Sequence, residues 1–277
     1  MPAKHTRLAS LLLASLATAS TAGGGAALAD ASCAGLPNQL RLRNVLIAAN
    51  AAPGGLNFNM WATVVNRDGV VCAVAFTGAD RGDQWPGSRV ISAQKANTAN
   101  AFSLPAFALS TGNLFSAVQP GGSLYGLQAS NPVATDVAYA GPAEFFGQAN
   151  DPMVGRRIGG VNVFGGGLGL YDSTGKLLGA IGVSGDTSCR DHRVAWAARH
   201  RLRLDYVPAG VSGDAARPDN IVFDISSANA TPGPDGNTEG GRYLSLGGFG
   251  HPQCDANEAG FAAALSPTLK ALAAAVR

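Results

Sequence analysis

Two β-hairpin patterns constrain the fold of this sequence more than any other feature. The first has apolar strands at Met60–Val65 and Val70–Phe76, joined by a turn that contains Asp68-Gly69. The second has strands at Leu168–Tyr171 and Lys176–Val183, joined by another polar turn. An aspartate–glycine pair between apolar runs is a strong signal of a tight hairpin turn. The sequence therefore predicts antiparallel strand pairs and not a doubly wound parallel sheet.

Helical patterns flank and separate the two hairpins. Apolar residues recur at helical spacing over Leu36–Ala51, Val90–Phe102 and Cys189–Arg201. Ser88 is the expected N-cap of the second helix. The order helix, hairpin, helix, hairpin, helix predicts an α/β domain of the α+β kind, in which helices flank an antiparallel sheet.

The remaining segments have weaker patterns. Residues 103–157 contain scattered prolines and glycines, so we expect mostly loop there. Gly159–Phe164 and Asn220–Ile225 are further strand candidates, and Phe261–Val276 is an Ala- and Leu-rich candidate for a terminal helix. Residues 203–256 are rich in Gly, Pro, Asp and Asn and read as an extension to the preceding domain.

The first 29 residues have the composition of a signal peptide. Lys4 and Arg7 precede an apolar run, which leads to Ala27-Leu28-Ala29, the pattern of a cleavage site. We expect cleavage after Ala29 and a periplasmic or secreted protein. A retained membrane anchor is the alternative, although the run is short for a membrane span.

The composition excludes several classes of protein. Hydrophobic types make up 46% of the 277 residues and charged types 14%, which is too apolar for intrinsic disorder. Loss of Lys4 and Arg7 from the 20 basic residues leaves 18, equal to the 18 acidic ones. A neutral chain argues against nucleic-acid binding, and no later stretch favours stable membrane insertion.

Four cysteines occur after the expected cleavage point. In an exported protein an even number favours disulfides, and of the three pairings we favour Cys33–Cys72 and Cys189–Cys254. The second bridge would bring His192 and His251 close together. The alternative is a zinc site, since Cys189-x-x-His192 and His251-x-x-Cys254 together offer four suitable ligands.

Two blocks of sequence together resemble the GlcG/HbpS-like haem-binding family, which includes the C-terminal domain of PduO-type proteins. The first is Val64–Phe76, around the turn of the first hairpin, with the helix that carries Lys95-Ala96-x-Thr98-Ala99. The second is Gly159-Gly160-Val161, then Leu178–Gly185, then Asp191. The resemblance implies a single domain at 30–202, with 203–277 as a C-terminal extension packed on it. It also implies homo-oligomers and binding of haem or a corrinoid.

The resemblance makes four side chains candidates for haem binding. Thr98 would contact the iron and Lys95, on the same helix face, would pair with a propionate. His192 and His251 are the other candidate iron contacts, since a neutral imidazole is a common haem ligand. The alternative for each is structural: a packed helix face for Lys95 and Thr98, and a first turn or a fixed loop for the histidines. No C-x-x-C-H motif occurs, so any haem is held non-covalently.

The turn before the third helix is a further candidate. Ser184, Asp186 and Thr187 precede a helix N-terminus, where backbone N–H groups favour a carboxylate or propionate. Simple capping is the alternative, and we favour it. Asp191 matches a family position and stabilises the first helical turn. Ser184 lacks the G-x-S-x-G pattern, and the helix is expected to begin only at Cys189, so we do not expect a serine hydrolase.

Two functions from different classes follow from these features. The first is an exported, non-catalytic protein that binds haem or another tetrapyrrole as a carrier, buffer or sensor accessory. The alternative is an enzyme or accessory subunit that acts on haem or on a small organic acid.

Overall fold

The computed structural model describes residues 31–231 and 242–275. The expected signal peptide lies outside the described residues. The first half contains α1 (Gln39–Asn50), β1 (Trp61–Asn66), β2 (Val71–Phe76), α2 (Ser88–Phe102), α3 (Phe115–Val118), α4 (Leu127–Ser130) and α5 (Thr135–Ala138). The second half contains β3 (Gly167–Tyr171), β4 (Leu177–Ser184), α6 (Ser188–Leu202), β5 (Ile225–Thr231), β6 (Arg242–Ser245), α7 (Glu258–Ala263) and α8 (Leu269–Ala275).

The two predicted hairpins form one four-stranded antiparallel sheet in the order β2-β1-β4-β3. Strands β1 and β4 join the hairpins, with Trp61 opposite Ser184 and Val64 opposite Ile181. Neighbouring residues of a strand point to opposite faces, so each strand contributes side chains to a core on either side of the sheet. Helices α1 and α6 pack on one face with Val64 and Ile181, and α2 packs on the other with Trp61 and Ala180. The predicted α+β architecture is confirmed.

Helix α2 lies unusually close to β4. A Cβ atom on Gly182 would fall 2.0 Å from the carbonyl oxygen of Ser92 and 2.5 Å from the amide nitrogen of Ala96. Only a residue without a side chain leaves room for two backbones at that distance. Gly182 thereby fixes where α2 crosses the sheet, and with it the position of every side chain on that helix.

Two local predictions are wrong: the N-cap at Ser88 and the strand at Gly159–Phe164. Helix α2 begins at Ser88 itself and its N-cap is Gly87, so the Ser88 hydroxyl is free to accept a hydrogen bond from Ser184. Gly159–Phe164 is not a strand: Gly159 turns the chain with a φ of 59°, and side chains of α2 bind the backbone that follows.

The predictions for the extension also need correction. Asn220–Ile225 is not a strand, because the carbonyl of Asn220 and the amide of Ile221 are bound by side chains, and β5 begins only at Ile225. The single helix expected over Phe261–Val276 is two helices, α7 and α8. Pro267 lies between them, and the residue before a proline disfavours helix.

Two disulfides and several hydrogen bonds tie the chain together. Cys33 is bonded to Cys72, and Cys189 to Cys254, as expected. The sulfurs of Cys189 and Cys254 lie with His251 in a cluster of metal-ligating types, but their bond to each other removes the thiolates that zinc needs. Elsewhere Trp196 donates its indole N–H to Ser266, over 3.0 Å.

None of the helices in the described part of the chain combines the length and apolar character needed to cross a membrane.

Candidate functional site

A small cleft opens where α2 passes over the end of β4 and the start of α6. Its volume is about 140 Å³. Strand β4 supplies its last residue, the turn and α6 supply three more, and α2 contributes the opposite wall. The lining residues are Trp85, Ser88, Ile91, Lys95, Phe164, Ser184, Asp186, Ser188 and Asp191. The cleft therefore lies between the helix that carries Lys95 and the turn that the sequence offered as a carboxylate site.

An ion pair forms the floor of this cleft. The ammonium of Lys95 lies 2.7 Å from Asp191 Oδ2 and also donates to the carbonyl of Val183 over 3.1 Å. Lys95 is 1% exposed and Asp191 2% exposed. Burial raises the pKa of Asp191 to about 6, although the neighbouring Lys95 charge acts to lower it. The predicted propionate partner is thus already paired within the protein.

Aromatic side chains form the rim. Trp85 is 50% exposed and Phe164 is 44% exposed, although both are large apolar residues. Phe58 lies edge-on to Trp85, with ring centroids 5.2 Å apart. Exposed aromatic faces beside a polar floor suit a planar apolar molecule that carries an anionic group.

The turn before α6 is held by capping. Thr187 is the N-cap, and its side chain accepts from the amide of Arg190 over 3.3 Å. The carboxylate of Asp186 accepts from the amides of Leu56 and Phe58, over 2.9 Å and 3.0 Å. The turn is therefore held by capping, as the alternative to a carboxylate site supposed, because Thr187 and Asp186 accept hydrogen bonds from amides of the protein itself.

His251 lies just behind the cleft wall. Its Nε2 is 3.0 Å from Ser188 Oγ, and its Nδ1 is 2.6 Å from the carbonyl oxygen of Pro252. A carbonyl oxygen only accepts, so Nδ1 carries the proton and Nε2 presents a lone pair to the serine hydroxyl. Burial lowers the pKa of His251 to about 4, so the ring is neutral near pH 7.

His192 and Thr98 lie deeper and do not line the cleft. His192 Nε2 is 3.2 Å from both Asn220 Oδ1 and the amide of Ile221, and its Nδ1 finds no partner among the described residues. Burial lowers the pKa of His192 to about 4. Thr98 Oγ1 donates to the carbonyl of Gln94 and accepts from the amide of Asn162. An iron contact by Thr98, His192 or His251 stays a prediction.

Sequence reasoning missed three residues of this site. Ser188 stands at the first position of α6, and nothing in its local sequence shows that the distant His251 will reach it. Trp85 and Phe164 lie in loops, where periodicity gives no indication of a shared rim. The available indication was the presence of Trp85 in a loop rich in Gly and Asp.

A second, larger cleft lies near the N-terminus of α2. It measures about 380 Å³ and is mainly apolar, with Trp61, Arg89, Tyr139 and Phe146 among its lining residues. The Arg89 guanidinium is paired with Asp151 and lies 3.7 Å from the centroid of the Phe146 ring. None of the predicted binding residues lines this cleft.

The chain resembles known proteins over the sheet and its helices. A family model described as HbpS-like, "Haem degrading protein HbpS-like", matches residues 41–200. None of the curated proteins gives a significant match. Among solved structures, Klebsiella pneumoniae protein ORFY is 25% identical, with 59% of this chain and 87% of that chain covered and a TM-score of 0.40.

Two further solved structures are similar. A PduOC:heme complex is 23% identical, over 58% of this chain and 89% of that one, with a TM-score of 0.40. A double mutant of Streptomyces reticuli HbpS is 18% identical, over 59% and 83%, with a TM-score of 0.38. The family match ends near the C-terminus of α6, before the extension that carries His251.

Proposed function

The chain belongs to the HbpS-like family, and from that membership we propose that it is an exported protein that binds haem or a related tetrapyrrole. The ligand is held non-covalently at the cleft between α2 and α6, and the role is that of a carrier, buffer or sensor accessory. The observation that carries this proposal is a family match to haem proteins that spans both walls of a cleft with a buried ammonium at its floor.

The residues of the cleft fit one edge of a haem. Lys95 would hold a propionate, in exchange with or in addition to Asp191, and the exposed faces of Trp85 and Phe164 would contact the ring. A volume of about 140 Å³ is below the roughly 300 Å³ at which pockets begin to enclose drug-sized ligands. The macrocycle would therefore rest mainly on the aromatic rim, and the ligand would remain exchangeable.

A haem titration of residues 30–277, followed at the Soret band, tests the proposal. We expect saturable binding that weakens about tenfold in Trp85→Ala and in Phe164→Ala, since a lost aromatic contact of roughly 1.4 kcal/mol changes affinity by that factor. Tyr125→Ala is the control, because Tyr125 is also an exposed aromatic residue but lies outside the cleft. A titration identical to free haem would sink the proposal.

The same titration examines the predicted iron contacts. Thr98→Val, His192→Gln and His251→Gln are compared with the unmodified protein, and the variant whose Soret position changes identifies the residue that contacts the iron.

Addition of a reductant to the haem-loaded protein distinguishes a binding protein from an enzyme. A stable Soret band indicates a binder, and progressive loss of the band indicates an enzyme that degrades haem.

A further inference from the structure

We propose that Ser188 and His251 form a nucleophile–base pair that hydrolyses small carboxylic esters bound in the cleft between α2 and α6. This activity is separate from haem binding and needs no cofactor. It depends on the extension, because His251 lies beyond the family match.

The hydrogen-bond geometry of the pair is that of an activated serine. Ser188 Oγ lies 3.0 Å from His251 Nε2, within the range for direct proton transfer. On the other side of the ring, Nδ1–H donates to the carbonyl of Pro252 over 2.6 Å. This third group fixes the tautomer that leaves Nε2 as the acceptor, which is the task of the orienting group in a catalytic triad.

A competing contact of the serine is weaker. Ser188 Oγ also lies 3.5 Å from Cys254 Sγ. A disulfide sulfur is a poor hydrogen-bond acceptor compared with an imidazole nitrogen, so the hydroxyl proton points to His251.

The surroundings place the serine at the cleft and the imidazole directly behind it. Ser188 is half-buried and lines the cleft, whereas His251 is buried behind it. The ring of Phe115 packs against His251 with centroids 4.9 Å apart, and the Cys189–Cys254 bond anchors the segment that carries the imidazole. The base is therefore held in one orientation, with its Nε2 directed at the serine hydroxyl.

The electrostatics favour attack at this position. Ser188 is the first residue of the 15-residue helix α6, so it lies at the positive end of the helix dipole. This end of the helix stabilises the negative charge that develops on a carbonyl oxygen during acyl transfer. Lys95 lines the same cleft, but its ammonium is paired with Asp191.

The chemical steps balance without a further reactant except water. Ser188 Oγ forms a bond to the ester carbonyl carbon as its proton moves to His251 Nε2. The bond between that carbon and the alcohol oxygen then breaks, and the departing alcohol takes the proton from Nε2. Water next attacks the acyl-serine with His251 again as base, which releases the carboxylic acid and restores Ser188. The small volume and aromatic rim favour esters with a short or planar acyl group.

The experiment uses the haem-free protein with intact disulfides. Treatment with diisopropyl fluorophosphate, followed by mass spectrometry of the digested protein, identifies any serine that acts as a nucleophile. Hydrolysis of p-nitrophenyl acetate is measured in parallel for the unmodified protein, Ser188→Ala, His251→Gln and Ser130→Ala. Ser130 is the control, since it is an exposed serine outside the cleft.

We expect the phosphoryl group on Ser188 and a loss of at least about 100-fold in hydrolysis for Ser188→Ala and His251→Gln, the usual contribution of a general base. Ser130→Ala should retain the full rate. Labelling of a different serine, absence of any labelling, or hydrolysis that persists in Ser188→Ala would each overturn the proposal. Labelling of the unmodified protein does not depend on whether a variant folds.

Discussion

The ammonium of Lys95 and the carboxylate of Asp191 meet 2.7 Å apart across 96 residues of sequence, and both side chains are almost wholly buried. The pair links α2 to α6 across the end of β4. Removing two charges from water is costly, and only their mutual attraction and additional hydrogen bonds offset that cost. Asp191 gains one such bond from the amide of Asp186, over 2.9 Å.

Substitution Lys95→Met should destabilise the fold in a way that depends on pH. It leaves a buried carboxylate without its ionic partner, which costs about 3–5 kcal/mol when the group is charged. Because burial already raises the pKa of Asp191 to about 6, loss of the ammonium raises it further. The folded variant then binds a proton that the unfolded chain does not, so its stability falls as pH rises.

Guanidinium unfolding at pH 5 and pH 8 measures this effect. The deficit relative to the unmodified protein should be larger at pH 8, and the double substitution Lys95→Met with Asp191→Leu should recover most of it. An equal deficit at both pH values would show that lost packing, and not the unpaired charge, dominates.

The sequence predicted the two hairpins, the flanking helices and the presence of disulfides because each depends on local pattern or on a simple count. The pairing of the cysteines does not follow from a count and is a choice among three. The sequence prediction failed at Gly159–Phe164, where backbone groups bind the side chains of Asn97 and Thr98 from α2 and form no ladder. A pattern of β-branched residues cannot report such a distant partner. The same limitation explains the error at Asn220–Ile225.

Part of the candidate site could be predicted from local pattern, as the hairpins could. Lys95 and the turn before α6 stand in motifs, so both could be named in advance. That Lys95 is paired with Asp191 depends on how α2 and α6 pack at the end of β4. That His251 faces Ser188 depends on how the extension folds back. Local sequence does not encode those contacts.

Acid should destabilise the protein through its buried histidines. Burial lowers the pKa of His192 and of His251 to about 4, against 6.5 for a free imidazole. Between those values the unfolded chain binds protons that the folded protein does not, so stability is full above pH 6.5 and declines as pH falls towards 4. Each histidine contributes at most about 3 kcal/mol. Asp191 opposes them below pH 6, since its own pKa is raised.

The substitution His192→Gln isolates one of these contributions. Its unfolding free energy should fall less steeply than that of the unmodified protein between pH 7 and pH 4.5, measured by guanidinium unfolding. Parallel curves for the two proteins would contradict a neutral, buried His192.

The Cys189–Cys254 bond should stabilise the fold and also position His251. It closes a loop of 65 residues, and the Cys33–Cys72 bond closes one of 39. In the chain-entropy model each contributes about 4 kcal/mol. Paired alanine substitutions of either bridge should therefore lower the unfolding free energy by similar amounts. Only loss of Cys189–Cys254 should shift the imidazole nitrogen resonances of His251, because only that bridge anchors its segment. An unchanged His251 spectrum would show that the other contacts of the extension suffice.

Replacement of Gly182 should destabilise the packing of α2 on the sheet. In Gly182→Ala the new methyl group would fall 2.0 Å from the carbonyl oxygen of Ser92, and a backbone atom cannot rotate away as a side chain can. Helix α2 must then move off β4, at a cost of about 3 kcal/mol, the upper part of the range for overpacked cores. Because Lys95 moves with α2, its contact with Asp191 should lengthen as well.

Gly260→Ala is the matched control for that experiment. Gly260 lies within α7, and a methyl group there meets open space. Alanine favours helix over glycine by about 1 kcal/mol, so this variant should be as stable as the unmodified protein or slightly more stable. Thermal and guanidinium unfolding of both variants distinguish a steric effect at Gly182 from a general effect of glycine replacement. If Gly182→Ala unfolds at the same denaturant concentration as Gly260→Ala, the close approach of α2 to β4 does not limit this fold.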